Sequence, residues 1–332
     1  MHLATRYLGL ELSHPILPGA SPLVDDLDMV RRLEDAGAPA IVMHSLFEEQ
    51  AVGDPIPLAE FLDETAESFA DAYGGLPSEE EFRLGPDQYL EQLERIKRAV
   101  QVPVIASLNG STLGYWLEAA RWLEDAGADA LELNVYRLAT DPTRSAEELE
   151  CEVADMVQAV VSSVAVPVAV KLGPYYTSVA HFARRLVDAG ASGLVLFNRF
   201  CQPDLDVVKL EVASQLELSQ PGDLRLRLHW IAILAGRLDT DLALSGGVFE
   251  SVDVVKGLMA GATVVETVSY LLERGPEGLA TLRQGLERFM EEQGYASVEE
   301  LRGLLSLERC ADPFAYERAN YVHQLQSWRS SP

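Results

Sequence analysis

With 332 residues, 48% of them hydrophobic, the chain has material for one large domain or two smaller ones around an ample core. Its 52 acidic residues against 26 Lys and Arg give a formal net charge of -26, so the average surface repels phosphate backbones and anionic headgroups; nucleic-acid and membrane partners are not expected. Cys151, Cys201 and Cys310 are odd in number, far apart and without CxxC spacing, and no apolar run nears the roughly 20 residues that span a bilayer; a soluble cytoplasmic protein without an iron–sulfur or other metal site is expected.

Short apolar runs bounded by Pro, Gly or Asn read as eight strands. In order they are Pro15 to Gly19, Ala40 to His44, Pro103 to Leu108, Ala130 to Asn134, Pro167 to Leu172, Gly193 to Asn198, Asp241 to Ser245 and Thr263 to Thr267. Amphipathic stretches lie between them, including Tyr89 to Val100, Ala146 to Val164 and Ser251 to Leu258. Four of the joints repeat one motif: Ala36-Gly37-Ala38, Ala126-Gly127-Ala128, Ala189-Gly190-Ala191 and Ala260-Gly261-Ala262 each close a helical stretch just before a strand. Glycine there supplies the left-handed turn that ends a helix without a Cβ clash. Helix, Gly and buried strand in recurrence mean βα units and a parallel sheet. A doubly wound open sheet has the same alternation, but no GxGxxG follows the first strand, and the joints precede the second, fourth, sixth and eighth strands, which suits closure. The expected fold is an α/β class TIM (β/α)8 barrel forming a single domain over residues 1–332.

Two stretches interrupt the alternation and are expected over the C-terminal face: an acidic one from Leu46 to Gly85, with a solvated helix at Ala59 to Ala72, and Arg199 to Ala232. The strict alternation of Leu224-Arg225-Leu226-Arg227-Leu228-His229-Trp230 has strand period and predicts a hairpin beside the barrel mouth. Residues after about 276 read as helices, with a basic and aromatic end (Tyr316, Arg318, Tyr321, His323, Trp328, Arg329) suited to packing or a subunit contact.

Polar residues stand where the buried runs stop: Ser21, His44 and Ser45, Asn109, Asn134, Lys171, Asn198, Gly246 and Gly247, and Thr267. Lys171 is the sharpest, because an ammonium ending an apolar strand is costly unless an anionic or electron-rich partner waits; Glu266 and Glu132 are the alternatives to a ligand. Ser245-Gly246-Gly247 before a helical stretch has the form of a phosphate cradle after the seventh strand, and the Asn109 and Asn134 amides suit the edge of a heterocycle or a turn.

Taken together these motifs resemble the dihydroorotate dehydrogenase family, FMN-dependent barrels of pyrimidine synthesis, and its dihydroorotate dehydrogenase-like branch. The likeness runs through Tyr7-Leu8-Gly9-Leu10, His14-Pro15 to Ala20-Ser21, Glu132-Leu133-Asn134, Val170-Lys171, Asn198, Ser245-Gly246-Gly247 and Gly294-Tyr295 to Leu304. By resemblance, Ala20, Ser21, Ser45, Asn109, Asn134, Lys171, Asn198, Gly246, Gly247 and Thr267 hold FMN, with Lys171 at the N1/O2 edge of the ring stabilising its anionic reduced form.

Three positions depart from the family pattern. His44 stands where the family has a lysine, Arg137 where class 1 members have the catalytic cysteine, and Glu266-Thr267 where a phosphate-binding Gly-Thr is usual, which would set a carboxylate near a phosphate. No residue is an evident base for dihydroorotate oxidation; His44 and Tyr136 are the candidates, while Arg137 suits a carboxylate ligand. The leading expectation is an FMN-dependent oxidoreductase converting dihydroorotate to orotate. A flavoprotein acting on another small acid or serving as an electron-transfer partner, and a flavin-free barrel with a binding or regulatory role, stay open. Electrons would leave through a partner protein or a diffusible acceptor, and a homodimer is expected only by resemblance.

Overall fold

In a computed structural model the residues described are 2–52, 85–200, 202–213, 217–316, 321 and 326. The chain opens with an antiparallel hairpin, β1 (Thr5–Tyr7) and β2 (Leu10–Leu12), turned by Leu8 and Gly9 at φ 51° and 76°. Eight parallel strands follow: β3 (Ile16–Pro18), β4 (Ile41–Phe47), β5 (Val104–Asn109), β6 (Ala130–Val135), β7 (Val168–Leu172), β8 (Gly193–Leu196), β11 (Asp241–Ser245) and β12 (Val264–Thr267). They are hydrogen-bonded in the order β3-β12-β11-β8-β7-β6-β5-β4, with β3 beside β4, so the eight expected runs build the expected, nearly closed TIM barrel.

Helices wrap the outside: α1 (Leu27–Asp35), α2 (Glu48–Val52), α3 (Pro86–Ala99), α4 (Leu113–Asp125), α5 (Ala146–Val161), α6 (Val179–Asp188), α7 (Leu224–Leu234), α8 (Ser251–Ala260), α9 (Ser269–Arg274), α10 (Gly278–Gln293) and α11 (Val298–Leu301). The Ala-Gly-Ala joints do what their composition predicts. After α1, Ala38 N–H donates to Leu33 O at 2.9 Å and Gly37 N–H to Glu34 O at 2.8 Å, with Gly37 at φ 96°, a Schellman cap; Gly127 and Gly190 repeat it at φ 95° and 100°, and Gly261 closes α8 at φ 121°.

The larger core lies between strands and helices, and a smaller one fills the barrel. The β1–β2 hairpin stoppers the N-terminal end: Tyr7 and Leu8 pack with Leu17, Ala169, Val195 and Val264, and Leu8 N–H donates to Asp241 Oδ2 at 2.8 Å. A Cβ on Gly193 would stand 2.7 Å from Leu8 Cδ2, so this close approach requires glycine.

Two expectations change. Leu224 to Trp230 is not a hairpin but the start of α7, with Leu224, Arg227, Ile231 and Leu234 buried at helical spacing; alternation over so few residues cannot separate the two periods. A hairpin does occur after β8, but earlier, as β9 (Asp204–Asp206) and β10 (Glu211–Ala213), whose Leu205, Val207, Val208, Leu210 and Val212 are exposed. The acidic helix expected at Ala59 to Ala72, and Arg318, His323, Trp328 and Arg329, lie outside the described residues; Tyr316 donates to Leu305 O at 2.5 Å. No helix among the described residues is long and apolar enough to cross a membrane.

Candidate active site

Strand alternation turns Ser107 and Asn109 on β5, Glu132 and Asn134 on β6, Lys171 on β7 and Glu266 on β12 to one side of the wall, the barrel interior. Lys171, 6% exposed, sends Nζ to Glu132 Oε1 at 3.1 Å and Glu266 Oε2 at 3.2 Å, and both carboxylates are almost wholly buried. Both alternatives raised for Lys171 are therefore realised at once. Burial works against its charge, but the two carboxylates outweigh it and raise its pKa. Burial pushes the Glu132 carboxyl up to about 7, with Lys171 pulling it down and Glu266 pushing it up. An ammonium has three N–H donors and the carboxylates take two, so one is left to serve a ligand. Glu266 has its charge met by Lys171, its place on β12 being an inward one.

Above this triad runs a chain of side-chain hydrogen bonds. Ser45 Oγ and Ser107 Oγ lie 2.8 Å apart, Asn134 Nδ2 donates to Ser45 Oγ at 3.3 Å, and Asn198 Nδ2 donates to Asn134 Oδ1 at 2.8 Å. Asn109 Nδ2 reaches Asn134 O at 3.1 Å. The fold thus gathers Ser45, Asn109, Asn134, Lys171 and Asn198 from five consecutive strand ends into one polar floor.

A second group lies where β11 and β12 end. Gly246 and Gly247 take φ 99° and 79°, and a Cβ on Gly247 would fall 2.4 Å from Leu224 N, so the loop passes tightly against α7. Gly247 N–H donates to Ser219 Oγ at 3.3 Å, and Ser219 Oγ sits 2.7 Å from Ser269 Oγ. Thr267, buried, spends its hydroxyl on Val248 O at 3.2 Å. Arg227 of α7 donates from Nε to Ser245 O at 3.1 Å. Ala20 and the buried Ser21 follow β3, which Gly19 N–H ties to Thr267 O at 3.1 Å.

His44 does not join the floor. Between Val42 and Ser45 the β4–β5 register slips, a bulge that brings Ser45 opposite Ser107 and leaves His44 on the side of Asp25 and Tyr89. His44 Nδ1 is 2.7 Å from Asp25 Oδ1, off the line of a good hydrogen bond, and the ring meets Tyr89 edge-on at 5.1 Å. Arg137 is held by Glu152 at 2.7 Å, which Arg144 also engages. Tyr136 and Arg137 line a cleft of about 540 Å³ beside the ends of β6 and β7, walled by Tyr175, Tyr176 and Phe200, with Glu150 among its lining. Burial, with Glu150 beside it, pushes the Tyr176 hydroxyl up to about 12.

Ser107, Ser219, Ser269, Arg199 and Arg227 escaped the reading of the sequence. Ser107 was findable, since it stands two residues before Asn109 on the same face. Arg227 was hidden by the strand-like alternation of its segment, and Ser219 and Ser269 meet from fifty residues apart.

The dihydroorotate dehydrogenase family model matches residues 2–290. The chain is 28% identical to an Aeropyrum pernix protein assigned as a dihydroorotate dehydrogenase A (fumarate), across 91% of this chain and 96% of that one. It is 27% identical to the dihydroorotate dehydrogenase B (NAD(+)) catalytic subunit of Geotalea uraniireducens, across 91% and 98%, and 27% identical to the one of Methanothermobacter thermautotrophicus, across 91% and 98%. A family match spanning this much of the chain and its barrel leads to one conclusion: the chain belongs to the dihydroorotate dehydrogenase family.

Proposed function

We propose that the protein is an FMN-dependent oxidoreductase acting on the CH–CH bond of a small acid, with dihydroorotate, oxidised to orotate, as its substrate in pyrimidine synthesis. The family is generally flavin-dependent. The observation that carries the reading is the joined floor of Ser45, Asn109, Asn134 and Asn198, with Lys171 opposite Asn134 on the neighbouring strand, which offers amide edges and one ammonium N–H to a heterocycle. The chain's residues fit the cofactor at the other end as well: the Gly246–Gly247 loop lies against the Arg227 guanidinium, and Arg199 Nη1 is buried with no hydrogen-bond partner among the described residues. Ala20, Ser21, Ser45, Asn109, Asn134, Lys171, Asn198, Gly246, Gly247 and Thr267 are the residues assigned to FMN, with Thr267 acting through the Val248 carbonyl it holds. Bound there, the flavin would supply the hydride acceptor. Lys171 would stabilise negative charge at the ring edge, and the buried carboxylates beneath hold it charged and in place.

A second reading, another small acid as substrate, is favoured by one observation: Arg137 occupies the family's cysteine position and is tied to Glu152, so the general base is not where class 1 members keep it. The protein is assigned to the cytoplasm, with electrons passing to a partner protein or a diffusible acceptor and with a homodimer as its assembly. The test is the visible spectrum of the purified protein followed by anaerobic addition of dihydroorotate. A flavin band that bleaches is the expected result. A flavin band that persists transfers the assignment to the second reading, and no band even after adding FMN rejects both.

A further inference from the structure

Arg227 is 6% exposed, yet no carboxylate pairs with it among the described residues; its Nε and Nη1 go to the neutral carbonyls of Ser245 and Asp223, at 3.1 and 3.0 Å. The Asp223 carboxylate is spent on Gln220 N–H at 2.8 Å. Burial lowers the Arg227 pKa, Asp223 opposes the shift, and Arg199 nearby adds to it. Arg199 is short of partners too: Nη1 is buried without a hydrogen bond, and the Glu217 carboxylate, on an 80% exposed side chain, stands 3.8 Å from Nη2. Among the described residues the two mutually repelling guanidiniums are thus met only weakly, by the exposed Glu217 carboxylate at 3.8 Å and by an Asp223 carboxylate engaged with Gln220 N–H. Buried charge of this kind is costly unless an opposite charge meets it, so the missing member is an anion from outside the chain.

The surroundings name its class. A Cβ on Gly246 would stand 3.3 Å from Arg227 Nε and 3.4 Å from Nη2, so the guanidinium lies against the glycine backbone. Gly247 N–H, on this loop, donates to Ser219 Oγ, which pairs with Ser269 Oγ at the start of α9. Planar guanidinium donors fit the several oxygens of a phosphate. We propose that Arg227 and Arg199 form with this loop a phosphate-monoester subsite, by which the protein selects phosphorylated flavin over riboflavin. The inference rests on the flavin reading and goes beyond it in making side-chain charge the anchor.

The experiment is a fluorescence titration of flavin-stripped protein with FMN and with riboflavin, on the wild type, Arg199→Met, Arg227→Met and Arg227→Lys. Expected is tighter binding of FMN than riboflavin by the wild type, an FMN affinity about 30-fold lower in Arg227→Met (about 2 kcal/mol at 1.4 kcal/mol per tenfold), a smaller loss in Arg199→Met, partial recovery in Arg227→Lys, and unchanged riboflavin affinity throughout. Equal losses for both flavins, or no loss for FMN in either Met variant, overturn the subsite. If the wild type binds neither flavin, the flavin reading fails by itself and inorganic phosphate decides the subsite: a rise in Tm with phosphate that Arg199→Met and Arg227→Met abolish supports it, and no rise in the wild type rejects it.

Discussion

Replacing Lys171 by Met removes one charge from beneath the candidate site while keeping nearly all the side-chain volume. In the native chain that charge meets Glu132 at 3.1 Å and Glu266 at 3.2 Å. At an effective dielectric constant of about 20 each contact is worth about 5 kcal/mol before desolvation, and breaking a buried pair by deleting one partner costs about 3–5 kcal/mol net. For 332 residues at about 2.1 cal/mol/K each, the unfolding entropy is about 0.7 kcal/mol/K, so the variant should lose about 4–7 °C in Tm at pH 8. The loss should depend on pH in a fixed direction. Glu132, raised to about 7 by burial, binds its proton more tightly in the native than in the unfolded chain, so stability from this group is full below the ordinary 4.5 and fades as pH rises through about 7. Without the ammonium, which pulls the Glu132 carboxyl down, that carboxyl holds its proton to higher pH, and once neutral it no longer repels Glu266. The deficit against wild type, read by calorimetry at pH 5, 6, 7 and 8, should therefore shrink toward pH 5, and Glu132→Gln added to Lys171→Met should restore part of it at pH 8. A deficit that is constant with pH, or larger at pH 5, would refute the reasoning.

Lys171→Ala should release the flavin or lower its reduction potential, since the cation at the ring edge is gone; an unchanged spectrum and potential would remove Lys171 from the cofactor site. At the joints, Gly127→Ala meets only Lys97 atoms at 4.0 Å and should cost the left-handed strain alone, about 1–2 kcal/mol. Gly190→Ala adds a Cβ 2.9 Å from Val161 Cγ1 at φ 100°, and should cost at least about 1 kcal/mol more. Chemical denaturation of the pair measures this, and equal losses would show that the Val161 contact yields freely.

Much of the fold was legible because its signals are local. A glycine after an amphipathic stretch needs only its own backbone to cap a helix, and Gly37, Gly127, Gly190 and Gly261 all take positive φ as the motif implies. Apolar runs of strand length stayed strands because a parallel barrel buries both of their faces. Asn109, Asn134, Lys171 and Asn198 were legible for the same reason: a polar residue that ends such a run sits at a strand's C-terminal end wherever the strand goes.

Where tertiary contacts outweigh local pattern, legibility stopped. Leu224 to Trp230 alternates like a strand, but Arg227, Ile231 and Leu234 bury one helical face against the barrel, and that burial decides its structure. His44 and Ser45 are neighbours in sequence, and only the register slip on β4, set by pairing with β5, turns Ser45 to the interior and His44 to Asp25 and Tyr89. The sequence by itself determined the barrel, its joints and the strand ends that carry polar groups, since periodicity, glycine and chain length act within a few residues. Only the tertiary structure decided which of those groups touch, that one lysine is shared by two carboxylates from different strands, and that Arg199 and Arg227 stand near each other, because such contacts join residues 28 to 95 positions apart whose meeting depends on closure of the whole barrel.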